Sequence, residues 1–167
     1  MNADERDSQT SFGRHDRDPL TREVIGAFFE VYNDLGTGFL ESVYEKAMIV
    51  SLARRGLQAM RQVPLAVDYY GVRVGEFRID LVVEDRLAAE LKAARCLDGA
   101  HDAQLLNYLR ASHFETGLLL NFGPSPQFRR RVFANDRKRR SDHLRSSAAL
   151  FRSSAADRTN PGESGYI

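Results

Sequence analysis

Asp80, Glu90 and Lys92 are the residue types of this chain whose spacing most directly suggests chemistry. They lie in the stretch from Phe77 to Ala93, F-R-I-D-L-V-V-E-D-R-L-A-A-E-L-K-A, where two apolar runs of strand length flank Glu84-Asp85-Arg86. A hairpin closed through a loop over 84–86 pairs Val83 with Leu87 and, counted outward, sets Asp80 opposite Glu90. Period-2 alternation then puts Asp80, Glu90 and Lys92 on one face and Ile79, Leu81, Val83, Ala89, Leu91 and Ala93 on the other. Two facing carboxylates repel unless a cation lies between them, and a pair of hard oxygen donors suits Mg²⁺ or Mn²⁺. Lys92 would stand beside such a metal, where an ammonium can orient a water nucleophile and stabilise a developing phosphorane. The pattern D…E-x-K is therefore that of a metal-dependent phosphodiesterase. The bland alternative is a solvated hairpin face with a cross-strand lysine–carboxylate pair.

Three further groups could join this set. Glu41 falls in the first turn of a helix, in G-F-L-E-S-V-Y (38–44), on one face with Tyr44 and Glu45. It either serves the helix dipole or points toward Asp80 and Glu90 as a third acidic group that completes or water-bridges a metal shell. Gln104 and Tyr108 are one helical turn apart, with Leu105, Leu106 and Leu109 directed elsewhere. They could hold a phosphate oxygen, a nucleobase or Lys92, or form an ordinary helix flank. His101 lies near the same face and is as readily a helix-start residue as an accessory group.

The elements that must position these residues follow from the apolar periodicity. Leu20, Val24, Ala27, Phe28, Val31 and Leu35 predict an amphipathic helix entered at Asp18-Pro19 and stopped at Gly36. A second helix runs from about Leu40 to Arg55, with Gly56 as its C-terminal cap. Val63–Tyr70 reads as a strand, Gly71 as a turn and Gly75 as a bulge or bend before the hairpin, giving three antiparallel strands. Asp98 is the expected N-cap of a helix to about Ser112. Residues 116–122 form a continuous apolar run, the mark of a strand covered on both faces and most easily laid parallel to its neighbour, and 128–133 could add an edge strand.

With 167 residues and 43% hydrophobic content the chain can bury one real core. The expectation is a polar, disordered lead over 1–18, one domain over 19–133, and a basic, mostly disordered tail over 134–167 with at most a weak helix near 142–151. The single cysteine, Cys96, excludes an internal disulfide and argues against structural zinc. No apolar run reaches the ~20 residues of a membrane span, and the N-terminus lacks the signal-peptide pattern, so the expected compartment is the cytoplasm. Net charge is +1, but a basic run, Arg129-Arg130-Arg131 and then Arg137-Lys138-Arg139-Arg140, could contact phosphate or merely aid solubility.

Five segments in one order carry a resemblance: G-F-L-E-S-V-Y (38–44), V-G-E-F-R-I-D-L-V-V-E-D (74–85), A-A-E-L-K-A (88–93), H-D-A-Q-L-L-N-Y-L (101–109) and G-L-L-L-N-F-G (117–123). Together they resemble the GxxExxY protein family, a bacterial and archaeal branch of the PD-(D/E)xK nuclease superfamily, over about Leu20 to Phe133. The resemblance implies the restriction-endonuclease-like fold, an α/β core in which a central mixed sheet is flanked by helices. It implies Asp80, Glu90 and the Leu91 carbonyl as metal ligands with Glu41 supporting them, Lys92 as the catalytic lysine, and Gln104 and Tyr108 as substrate-positioning groups. Ile79 stands where the superfamily nominally has proline before the first acid.

The function expected is Mg²⁺-dependent (or Mn²⁺-dependent) hydrolysis of nucleic-acid phosphodiesters, on DNA in preference to RNA, with a homodimer compatible with duplex cutting. The rival is a nuclease-like core that binds nucleic acid or protein without catalysis. Turnover that appears with Mg²⁺ and vanishes with chelator separates the two.

Overall fold

The computed structural model describes residues 18–138 and 144–145. Helix α1 (Pro19–Leu35) starts where the side chain of Asp18 accepts from the Thr21 N–H, with Pro19 in the first turn. Helix α2 is Glu41–Arg54. The strands are β1 (Ala59–Tyr69), β2 (Val72–Val83) and β3 (Leu87–Lys92), then α3 (Gly99–Ala111), β4 (Thr116–Asn121) and β5 (Gln127–Val132). A helical turn α4 (Asn135–Lys138) and the two-residue strand β6 (Leu144–Arg145) follow.

The sheet order is β5-β4-β3-β2-β1-β6, antiparallel except for β3 and β4, which run parallel on either side of α3 in sequence. The expected meander and parallel return are both present, and β2 and β3 occupy the middle. Strand β1 starts earlier than Val63 and includes Gln62. In the β1–β2 pairing Val67 faces Gly75 while Asp68 faces Arg73, so Val74 is the extra residue of a bulge beside Gly75.

Two apolar layers sandwich the sheet. On one face Leu81, Val83, Leu87, Ala89, Leu91, Leu118 and Leu120 pack with Val24, Phe28 and Val31 of α1 and Tyr44, Met48 and Leu52 of α2. On the other, Val63, Leu65, Val82 and Ala88 pack with Tyr108 and Leu109 of α3. The sequence reading placed Ile79 with Leu81 and Val83, whereas Ile79 belongs to the α3 side. The strand pair is irregular there: Asp80 and Gln62 are skipped in the β1–β2 ladder and Gln62 has a φ of 53°. Simple alternation does not carry through such a point.

The tail reading meets the structure only in part. Leu144–Arg145 pair with Asp68 and Tyr69 of β1 as strand, where a weak helix over 142–151 was considered. The remainder of that segment and the lead over 1–17 lie outside the described residues. Of the three arginines at 129–131, Arg129 and Arg131 are engaged by the core, whereas Nε and Nη2 of Arg130 are buried without a hydrogen-bond partner. Arg129 and Arg131 both pair with Asp102 on α3, and Arg129 also donates to the Leu97 carbonyl at 2.9 Å. Lys138 donates to the Ser112 and Phe114 carbonyls at 3.0 and 2.6 Å, so these cations fasten β5 and α4 to the core. No described helix is long and apolar enough to cross a membrane.

Candidate active site

The β2–β3 turn sets the register on which the site depends. Glu84 and Asp85 take left-handed φ values of 53° and 49°, the Arg86 N–H donates to the Val83 carbonyl at 3.0 Å, and the Glu84 carboxylate accepts from the Gln58 N–H at 2.6 Å. Val83 then pairs with Leu87, Val82 with Ala88 and Leu81 with Ala89. The paired register ends there, and Asp80 and Glu90 are the next residues outward on the two strands.

Asp80 does not continue the ladder with its backbone. Its Oδ2 accepts from the Leu91 N–H at 2.8 Å and its Oδ1 from the Gln62 amide at 3.2 Å. The same Gln62 nitrogen donates to Oε1 of Glu45 at 3.1 Å, while Arg61 grips Oε2 of Glu45 at 2.8 Å. Both amide hydrogens of Gln62 are thereby used, and α2 is tied to the acid of β2. Burial pushes the Asp80 carboxyl above its ordinary range, opposed by the Leu91 hydrogen bond.

Glu90 sits on the central strand β3 with 2% of its surface exposed. Its Oε1 accepts from Lys92 Nζ at 2.7 Å, whereas its Oε2 is buried without a hydrogen-bond partner. Burial first, and the neighbouring Asp80 charge second, push Glu90 up to about 7. Burial alone would lower Lys92, but its bond to Glu90 and the charges of Glu90, Glu41 and Asp80 outweigh that and raise it. A buried carboxylate oxygen without a hydrogen-bond partner, beside a second carboxylate, is a donor set whose chemistry fits a hard divalent metal. Among the described residues no three His, Cys, Asp or Glu side chains converge as a ready metal cluster. The acidic core is a pair, and Mg²⁺, which keeps several of its waters, is suited to so few protein ligands.

Glu41 approaches from α2. Its Oε1 accepts from the Ala93 N–H at 3.2 Å, just past Lys92, and its charge acts on both Glu90 and Lys92. The carboxylate lies at the exposed edge of the site, capping the end of β3. The residues around it explain the local spacing. Gly38 has a φ of 105°, which an L side chain rarely adopts. The buried Tyr44 hydroxyl donates to the Gly36 carbonyl at 2.9 Å and accepts from the Phe39 N–H at 3.2 Å, closing the loop that starts α2.

Gln104 and Tyr108 meet as their spacing predicted, the Gln104 amide donating to the Tyr108 hydroxyl at 2.7 Å. Burial raises Tyr108, and Glu90, Asp80 and Lys92 all act on it, so α3 brings this hydroxyl to the site from the far layer. His101 takes the plain option: its Nδ1 accepts from the Asp98 N–H at 3.2 Å in a capping box. Sequence reasoning missed Gln62, which was placed outside the strand, and Asn121. The latter is fully buried and clamps Ala94 through both its N–H and its carbonyl at 2.9 Å.

Comparison with known proteins decides the family. The profile of the PD-(D/E)XK nuclease superfamily matches residues 18–132. The chain belongs to that superfamily. Its mixed sheet with helices on both faces is accordingly a restriction-endonuclease-like PD-(D/E)XK core. No curated protein matches the sequence. A solved structure entitled "Crystal structure of SSO0001" is similar with a TM-score of 0.46 and 19% identity over 60% of this chain, which spans 55% of that one.

Proposed function

We propose that this superfamily member is a Mg²⁺-dependent nuclease of the GxxExxY branch that hydrolyses phosphodiester bonds in DNA. The observation that carries the proposal is Glu90: one oxygen held by Lys92 at 2.7 Å, the other buried and unpartnered, with Asp80 beside it. Asp80, Glu90 and the Leu91 carbonyl would hold the metal, with Glu41 supporting its water shell. When bound, the metal would neutralise charge on the phosphate and its leaving oxygen.

The chain's own residues supply the rest. Gln62 and the Leu91 N–H hold Asp80 in one orientation, which would preorganise it for the metal. Lys92 keeps its proton because Glu90 is its partner, and an ammonium there orients the attacking water and stabilises charge growing on phosphorus. Tyr108, whose hydroxyl accepts from Gln104, would use its own O–H to donate to a phosphate oxygen.

The test is incubation with plasmid, linear duplex, branched DNA, single strands and RNA, each with Mg²⁺, Mn²⁺ and chelator. Cleavage of DNA that needs the metal and drops at least about a hundredfold in Glu90→Ala and Lys92→Ala is the expected result. Equal rates in both variants would remove these residues from the mechanism.

A further inference from the structure

Beyond Lys92 the chain leaves the sheet through Ala93 and Arg95, and beside this exit lies an open cleft. Thr37, Gly38 and Phe39 form one wall, Pro124 and Ser125 the other, and the cleft volume is about 760 Å³. That size lies within the range of pockets that take a nucleotide-sized ligand, roughly 300–1,000 Å³. Hydrogen bonds hold its edges. The Tyr44 hydroxyl closes the 36–39 loop, Asn121 clamps Ala94, and Tyr32 donates to the Pro124 carbonyl at 3.1 Å. Gly123 lies so close behind Ala94 that an added Cβ would stand 1.8 Å from the Ala94 oxygen. Such a frame keeps the cleft in shape before anything binds.

The lining has the chemistry of a base-and-phosphate seat. Phe39 leaves 48% of its surface exposed, while its ring packs edge-on against Tyr44 with centroids 6.1 Å apart. Arg95 is exposed and forms no ion pair with a described residue. Thr37 and Ser125 add hydroxyls, and Gly38 leaves its backbone uncovered. An anchored aromatic ring and a guanidinium without an ion pair to any described residue, lining one cleft, suit a nucleobase and its phosphate; an acidic peptide would use the cation but not the ring. The cleft also adjoins the Asp80–Glu90–Lys92 centre, because Ala93 both lines it and bonds to Glu41.

We infer that this cleft seats one nucleotide of single-stranded nucleic acid next to the bond to be cut, the base stacked on Phe39 and the phosphate on Arg95. The inference rests on the nuclease reading above, since it places a flanking nucleotide for that reaction. It needs no metal, which makes it separable in experiment. Binding of a fluorescein-labelled dodecameric oligo-dT to the full chain is measured by anisotropy in chelator, over a salt series. Phe39→Ala and Arg95→Ala should each weaken binding about tenfold, with Phe39→Trp close to the parent chain. Arg95→Ala should also lower the salt slope by about one, and Phe39→Ala should leave it unchanged. Circular dichroism confirms that each variant is folded. Failure of the parent chain to bind, or parental affinity in both alanine variants, overturns the inference. If binding depends on Phe39 and Arg95 but no substrate is cut with Mg²⁺ or Mn²⁺, the cleft stands and hydrolysis falls. If cutting depends on Glu90 and Lys92 but Phe39 and Arg95 are silent in binding, the reverse holds.

Discussion

At the scale of single residues, the site is an arrangement of unequal carboxylates. Asp80 has both oxygens engaged and Glu90 only one, so Glu90 bears the larger cost of burial and its proton is the more strongly held. This makes the metal-free protein sensitive to pH in a definite direction. The folded carboxyl is raised from 4.5 to about 7, so its contribution to stability is full below about 4.5 and is lost as pH rises through about 7. The loss is on the order of 3 kcal/mol. In chelator, melting temperature should fall across that window, and Glu90→Gln should flatten the fall and melt above the parent chain at pH 8. A parent chain whose melting temperature is level from pH 4.5 to 7.5 would contradict the burial account. Gln62 offers a second check, because it fixes Asp80 without being one of the proposed metal ligands. Gln62→Leu should weaken Mg²⁺ binding about 10- to 100-fold while the chain stays folded, read by metal titration of the purified variant.

At the scale of elements, the hairpin is legible because the signal is local. Two apolar runs around Glu84-Asp85-Arg86 dictate the register from Val83↔Leu87 to Leu81↔Ala89, which leaves Asp80 and Glu90 as the next residues outward. Helix α1 and helix α3 are equally readable, since Asp18 and Asp98 cap them in the way short polar side chains before an apolar period do. The irregularity at Gln62 and Asp80 is not readable, and with it Ile79 moved to the other layer. A φ of 53° on a glutamine has no sequence signature; it accompanies the bonds that the Gln62 side chain makes to Glu45 and Asp80. The role of Tyr44 is likewise tertiary, as its hydroxyl reaches back over the loop before α2. Tyr44→Phe keeps the ring stacked on Phe122, at 4.2 Å between centroids, but strips the Gly36 carbonyl and the Phe39 N–H of their partner. It should cost about 1–2 kcal/mol in denaturant unfolding, and a variant as stable as the parent would mean that the loop is held by other contacts.

At the scale of the whole molecule, the acids of β2 and β3 are brought together, with Glu41 of α2 at the exposed edge, because the two central strands are clamped between two helical layers. Distant basic residues serve that clamp. A run of arginines read along the chain resembles a phosphate-binding patch, yet Arg129 and Arg131 pair with Asp102, and Arg129 with the Leu97 carbonyl, partners that only the folded sheet brings near. Arg129→Gln should therefore lower stability while leaving the salt dependence of oligonucleotide binding unchanged, whereas a reduced salt slope would return Arg129 to the nucleic-acid interface. The central claim is that the half-buried Asp80 and the buried Glu90 form a cation site, and Mn²⁺ titration followed by electron paramagnetic resonance tests it most directly. The account predicts a site in the parent chain that is lost in Glu90→Gln while circular dichroism shows that variant folded. Unchanged Mn²⁺ affinity in a folded Glu90→Gln would contradict it.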